Sequence, residues 1–123
     1  MSVKPLTLQS LNHLMDRIDD ARDGQIRSLR SLSPTTIEIA FSVQDVARDY
    51  DWIEIVFQVN GVTDAKLVSD AVLPTLDMSE GITLELEATC CALAIGNYRG
   101  RAHEAPLYIL GTTLGYDERP FGG

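Results

Sequence analysis

The spacing of apolar residues changes once near the start of the chain, from every third or fourth residue to every second. Before Gly24, the apolar residues lie where one face of a helix would place them: Leu8, Leu11, Leu14, Met15, Ile18 and Ala21. This spacing predicts an amphipathic helix over residues 7–23, capped near Thr7 and ended by Gly24. A leading helix followed by alternating segments is typical of the α+β class.

Two segments with strong alternation follow the helix. Their apolar residues fall on every second position: Ile37, Ile39, Phe41 and Val43 in the first, and Ile53, Ile55, Phe57 and Val59 in the second. Alternation of this kind predicts half-buried strands, here over residues 35–44 and 52–60. The link between them is short and polar, so we expect an antiparallel pair.

The rest of the chain predicts a larger antiparallel sheet. Further strands are expected at residues 25–32, 81–88, 89–95 and 106–114. Residues 62–76 fit either a short helix or a strand followed by a turn, and the tail at residues 115–123 is predicted to be irregular. The prediction is therefore one α+β domain over residues 1–123, in which the N-terminal helix packs on a mostly antiparallel sheet of about six strands.

Negative charge is concentrated in the middle of the sequence. The chain of 123 residues has 10 basic and 18 acidic side chains, a net charge of −8. Residues 31–98 hold eleven of the acidic side chains and only Arg48 and Lys66 to balance them. Such an excess repels nucleic acid and anionic membrane and attracts a basic protein surface. A solvated surface that only favours solubility is the alternative.

Two groups of carboxylates lie within this acidic stretch. One occupies the polar positions of predicted strands, Glu38, Glu54, Glu85 and Glu87, which could share one face. The other crowds the link between the two strongest strands and is flanked by aromatic residues. Because tyrosine and tryptophan dominate binding hot spots, we predict a partner-binding patch here. Its residues are Asp45, Asp49, Tyr50, Asp51, Trp52 and Glu54. Trp52 could instead cover the second face of the sheet beside Val56.

No residue pattern indicates catalysis. His103 and Glu104 are adjacent in a polar loop, and neighbouring residues seldom converge on one substrate. Cys90 and Cys91 have apolar flanks, which predict inert, buried thiols. His13 borders the apolar stripe of the helix, which favours a packing role.

No metal or cofactor is expected. The aspartates of the link could offer oxygen ligands, but no segment matches a calcium loop. Zinc-ligand spacing and phosphate-binding glycine loops are also missing from the sequence.

These observations predict a protein-binding module and no enzyme, most concretely an acidic inhibitor of the immunity or antitoxin type that masks a basic toxin or effector. Two alternatives stay open: a structural subunit that pairs strand edges into a homodimer or larger homo-oligomer, and a small enzyme or ligand carrier. The longest apolar run, residues 90–95, is too short to cross a bilayer, and two unpaired thiols suit a reducing compartment. A cytoplasmic protein is therefore expected.

Overall fold

The two strongly alternating segments form the longest strands of the protein. In the computed structural model, which describes residues 3–120, β3 spans Thr36–Asp45 and β4 spans Asp51–Asn60. The two strands pair antiparallel over their whole length, from Thr36 opposite Asn60 to Asp45 opposite Asp51. Their odd-numbered apolar residues therefore share one buried face.

Three more strands complete a five-stranded sheet around this pair. They are β1 (Lys4–Pro5), β2 (Gln25–Ser33) and β9 (Thr113–Pro120). The strand order is β1-β9-β4-β3-β2, and every neighbouring pair is antiparallel.

A second sheet of four antiparallel strands faces the first. Its members are β5 (Asp64–Lys66), β6 (Ile82–Leu86), β7 (Cys91–Ile95) and β8 (Tyr108–Gly111), in the order β5-β8-β7-β6. The α+β class and the antiparallel pairing are confirmed. The expectation of one sheet with about six strands is wrong, because residues 3–120 form nine strands in two sheets.

The single α-helix within residues 3–120, α1, spans Leu8–Arg17. Thr7 caps it as expected: its Oγ1 accepts from the backbone N–H of Ser10, and its own N–H donates to Ser10 Oγ. The buried residues of α1 belong to the core that the two sheets share. The second sheet therefore packs against much of the apolar face of the first sheet, which the helix was expected to cover. No helix within residues 3–120 is long and apolar enough to cross a membrane.

The helix ends six residues before the end that its apolar spacing predicted, at Arg17 instead of residue 23. After Ile18 the chain makes a short 3₁₀ turn, Asp19–Ala21, in which all three residues have positive φ, at 51°, 54° and 60°. Ile18 and Ala21 are both buried, so the apolar spacing continues through a segment that is no longer α-helical. A three-residue spacing fits a 3₁₀ turn as well as an α-helix, which is why the sequence misplaced the end.

One predicted strand is two strands that belong to different sheets. The segment expected at 106–114 is divided into β8 and β9, with Thr112 between them. Gly111 lies at the crossing, where an added Cβ would come 2.5 Å from Val59 Cγ1 and 2.8 Å from Asn60 O. The tail predicted to be irregular is the body of β9 as far as Pro120, while residues 121–123 lie outside the described chain.

The remaining boundaries differ by a few residues. The ambiguous segment 62–76 contains the short strand β5 and a 3₁₀ turn, Leu73–Thr75. β6 and β7 are shorter than the predicted strands at 81–88 and 89–95, because a tight hairpin joins them. In that hairpin, Glu87 N donates to Cys90 O at 2.8 Å.

Candidate functional site

Asp45, at the end of β3, has a buried carboxylate that pairs within the protein and does not lie on the surface. Its side chain is fully buried and accepts hydrogen bonds from Arg17, with Nε–Oδ1 at 3.3 Å and Nη2–Oδ2 at 2.5 Å. Arg17 also donates to Glu118 at 2.6 Å, and the Arg48 guanidinium lies 3.6 Å from Asp45. The hydrogen bonds from Arg17 hold the pKa of the Asp45 carboxyl below its ordinary value.

The placement of Asp45 in a partner-binding patch is therefore at odds with the structure. A fully buried carboxylate, already paired with an arginine of α1, offers no surface to a partner. Its role is local. Asp45 Oδ1 accepts from Ala47 N at 3.0 Å and so caps the 3₁₀ turn Val46–Arg48, which begins the link to β4.

The tip of the β3–β4 hairpin is held in one conformation by hydrogen bonds at its base. Tyr50 N donates to Asp45 O at 2.9 Å, and Gln44 Nε2 donates to Tyr50 O at 3.2 Å. Asp49 and Tyr50 both have positive φ, at 55° and 66°, which is uncommon for residues other than glycine. These bonds hold the backbone of a strained tip, and an ordered backbone loses less entropy on binding.

Three large apolar side chains are exposed around this tip. The exposed fractions are 60% for Tyr50, 42% for Val46 and 40% for Trp52. Asp49 and Asp51 are exposed beside them, and within residues 3–120 neither carboxylate has an ion pair. Exposed aromatic groups and unpaired carboxylates therefore lie together on one rigid hairpin.

Trp52 and Glu54, the last two residues of the predicted patch, lie on β4, Trp52 next to the tip and Glu54 farther from it. Glu54 is half-buried and stands opposite Ser42 on β3 and Arg119 on β9. Trp52 shares its face of β4 with the buried Val56, so it both shields that face and presents part of its ring to solvent. The structure thus brings together Asp49, Tyr50, Asp51 and Trp52 at the tip and leaves Glu54 beside it.

A hollow of about 300 Å³ separates the tip from the turn that follows α1. Val46, Tyr50 and Gln44 line it on the hairpin side; Asp16, Ile18, Asp19 and Arg22 line it on the other. Arg22 is already bound to Asp19 at 2.7 Å. This hollow could not be predicted from the sequence, because a helix running to residue 23 would have placed Asp19 differently.

The four glutamates expected to share one face do not share it. Glu38 and Glu54 lie in the five-stranded sheet, whereas Glu85 lies in β6 of the other sheet and Glu87 follows it. Glu38 is buried and pairs with Arg30 at 2.8 Å, and Glu85 accepts from Gly100 N at 3.0 Å. The negative excess therefore does not form one acidic sheet face.

The two cysteines differ in environment. Cys91 is buried, and burial raises its thiol pKa to about 11. Cys90 is exposed, contrary to the prediction of two buried thiols, and donates to Glu87 Oε2 at 3.3 Å, which raises its pKa. A raised pKa keeps both thiols protonated at neutral pH, which disfavours nucleophilic chemistry.

The last candidate group for chemistry, His103, is exposed in a 3₁₀ turn, Ala102–Glu104. It lines a hollow of about 350 Å³ together with both cysteines, Glu85 and Glu87. No three His, Cys, Asp or Glu side chains within residues 3–120 are grouped so that they could hold a metal ion.

Comparisons with known proteins do not assign a class to this fold. No family model, curated protein or solved structure matches the chain. The function is therefore inferred from the geometry of the hairpin tip.

Proposed function

We propose that the protein is a protein-binding module that recognises a basic partner through its hairpin tip. The hairpin-tip surface consists of five residues: Val46, Asp49, Tyr50, Asp51 and Trp52. Asp16, across the adjoining hollow, has no ion pair within residues 3–120 and extends its negative charge, whereas Asp19 is paired with Arg22. This surface replaces the patch predicted from the sequence, with Asp45 moved to a supporting role and Glu54 at the margin.

The observation that carries the proposal is the joint exposure of aromatic rings and unpaired carboxylates on a fixed turn. Tyr50 and Trp52 can each bury a large area at little entropic cost, as hot-spot residues do. Asp49 and Asp51 can attract a cationic surface and orient it before contact. Together these groups provide apolar contact area and electrostatic attraction to a cationic partner.

The concrete form of the proposal is an inhibitor of the immunity or antitoxin type that masks a basic toxin or effector in the cytoplasm. The net charge of −8 on 123 residues supports this form, because opposite net charges speed encounter. A partner that acts on nucleic acid would carry the required basic surface.

The proposal is tested by capture of binding proteins with matched variants. The tip variant Tyr50→Ala/Asp51→Asn removes one exposed ring and one exposed charge. The control Leu67→Ala/Asp70→Asn makes the same charge change and also truncates an exposed apolar side chain, but at a site remote in sequence. We expect wild type and control to retain one basic protein from a cell lysate and the tip variant to lose it. Equal retention by all three would refute the role of the tip.

A homo-oligomeric subunit is the second candidate, and the open edge at β2 is what favours it. β2 is an outer strand of the five-stranded sheet, with Leu32 exposed near its end. Its pairing with β3 shifts register between Ile26 and Ser28, and such a bulge disfavours edge-to-edge pairing. We therefore rank it below partner binding. Sedimentation of a dimer at micromolar concentration would reverse the order.

A further inference from the structure

β6 forms an open edge of the four-stranded sheet. Among the described strands it pairs only with β7, from Ile82 opposite Ile95 to Leu86 opposite Cys91. In an antiparallel pair, alternate residues of a strand direct both of their backbone groups to the partner strand, and the others direct theirs outward. An edge strand therefore presents a row of donors and acceptors to whatever lies beside it.

The hydrogen bonds at the two ends of β6 show which residues point outward. Gly96 N donates to Gly81 O at 2.8 Å, and Glu87 N donates to Cys90 O at 2.8 Å. The odd-numbered residues therefore bond to β7, and the N–H and C=O groups of Ile82 and Leu84 point away from it. Both residues are otherwise buried, at 4% exposed, and the backbone of Asp20 packs against Gly81 at the start of the strand. Within residues 3–120 these outward groups have no hydrogen-bond partner.

This open edge forms one side of a groove of about 580 Å³. Ile82, Thr83 and Leu84 line the groove from β6, while Leu11, Asn12, Met15 and Asp16 line it from α1. Five residues of extended chain span about 17 Å, close to the length of β6 itself. The groove thus lies between a helix and an unpaired strand edge, an arrangement suited to an added strand.

The polar rim of the groove is negative by one charge. Asp16, Asp20 and Glu80 contribute three carboxylates, against Arg22 and Arg99. Arg22 is already engaged by Asp20, at 3.4 Å. Asp16 and Glu80 have no ion pair within the described chain, so basic side chains in the groove would find two available carboxylates.

We infer that the groove between α1 and β6 binds an extended segment of a partner polypeptide, with basic side chains, as an additional antiparallel or parallel strand on β6. Ile82 and Leu84 supply the backbone recognition, and Asp16 and Glu80 favour basic residues. A second copy of this chain fits the groove less well as the added strand, because the β6 edge of that copy is itself bordered by α1. The inference uses none of the five residues of the hairpin-tip surface and shares only the bordering Asp16 with it, so either proposal can fail without the other.

The test is NMR of the full-length protein with two peptide probes of alternating sequence. They are acetyl-Lys-Val-Lys-Val-Lys-amide and its Glu-Val-Glu-Val-Glu counterpart. We expect the lysine peptide to shift the amide resonances of Ile82 and Leu84 and to slow their hydrogen exchange by about tenfold, since each gains an acceptor. The glutamate peptide should bind more weakly.

Backbone recognition is separated from side-chain attraction by N-methylation. Methylating alternate amides of the lysine peptide blocks either the N–H groups that face β6 or those that face away. One methylation pattern should therefore abolish the shifts at Ile82 and Leu84 and the other should preserve them. If both patterns bind equally well, charge alone holds the peptide and strand addition is refuted.

A pair of helix variants locates the bound segment. Asn12→Trp fills the groove from an exposed position of α1, while His13→Trp places the same ring on the next exposed residue, which does not line the groove. We expect only Asn12→Trp to abolish peptide binding. Three results would overturn the inference: no shift at Ile82 and Leu84 with the lysine peptide, equal effects of the two variants, or exchange protection that rises with protein concentration alone and so indicates a second copy.

Discussion

At the scale of single residues, Asp45 shows how a residue chosen for binding can serve the fold. Its position between two strong strands suggested an exposed loop, yet its carboxylate is buried and held by Arg17. Arg17 lies 28 residues earlier in the chain and also contacts Glu118, so this cluster joins α1 to β3 and β9. Sequence spacing carries no signal for such long-range pairing.

Replacing Asp45 by Asn should lower the free energy of unfolding by about 2 to 4 kcal/mol at pH 7, because it leaves Arg17 without its buried partner. The folded-state pKa of Asp45 is lowered, so its stabilising effect is complete above the unfolded value of about 4 and is lost as pH falls further. The difference between wild type and variant should therefore shrink below pH of about 4. Urea unfolding at several pH values measures both effects.

The exposed Asp51 provides the control for this experiment. Asp51→Asn should change the free energy of unfolding by no more than about 0.5 kcal/mol. A loss for Asp45→Asn that stays constant from neutral to acid pH would contradict the assigned ion pair.

The two cysteines should react with a thiol reagent at different stages. Cys90 is exposed and Cys91 is buried with a pKa of about 11, so we expect one thiol to react in the native protein and both after unfolding. Cys90→Ser should remove the native-state reaction. Rapid native labelling of the Cys90→Ser variant would show that Cys91 is accessible.

At the scale of secondary-structure elements, the turn after α1 departs most clearly from its sequence pattern. Asp19, Asp20 and Ala21 are left-handed in succession, and Asp23 follows with φ of 59°. Left-handed geometry is costly for residues with a Cβ, although aspartate tolerates it better than most. The turn is stabilised from outside: Asp23 N donates to Met78 O at 2.8 Å.

Asp23→Gly should raise the free energy of unfolding by about 0.5 kcal/mol, because glycine adopts positive φ without strain. Asp23 is exposed, so the change removes little packing. Asp23→Asn is the control, since asparagine tolerates the same φ and loses the same charge. Thermal unfolding of the three proteins is the measurement; a gain for Asn equal to that for Gly would assign the effect to charge.

The sequence predicted elements well where one face is strictly apolar, and poorly where pairing is non-local. β3 and β4 were placed within one or two residues, because their alternation is uninterrupted. The division between β8 and β9 was missed, since the segment from Leu107 to Leu114 fits a single strand although the chain changes sheets at Thr112. β9 itself was missed because its residues are largely polar, with Glu118 paired to Arg17.

The candidate site was predicted in part for the same reason. Tyr50, Asp51 and Trp52 could be chosen from local chemistry, since aromatic and acidic residues are adjacent in sequence. The burial of Asp45 and the contribution of Asp16 and Asp19 both depend on where α1 ends and which strand it meets. Those are properties of the assembled core.

At the scale of the whole molecule, the two sheets share one large apolar core. The charged side chains are distributed unevenly over the surface around it. Some of the acidic residues from the middle of the chain are neutralised by arginines from its ends, as Glu38 is by Arg30 and Asp45 by Arg17. Asp49 and Asp51 at the hairpin tip have no ion pair in the part of the chain that the structure describes. Within the net charge of −8, the carboxylates of Asp49 and Asp51 are therefore accessible to a partner, and they lie beside exposed aromatic rings.

The central claim is that this tip meets a cationic protein, and the most direct test is the association rate of the captured partner at about 0.1 M and about 1 M salt. The variant Asp49→Asn/Asp51→Asn keeps the positive φ of Asp49 acceptable while removing both charges. Asp70→Asn/Glu104→Gln makes the same net charge change at exposed sites elsewhere.

We predict that the tip variant associates several-fold more slowly than wild type at low salt and with a weaker salt dependence, while the control matches wild type. The same rate and the same salt dependence for both variants would contradict the account.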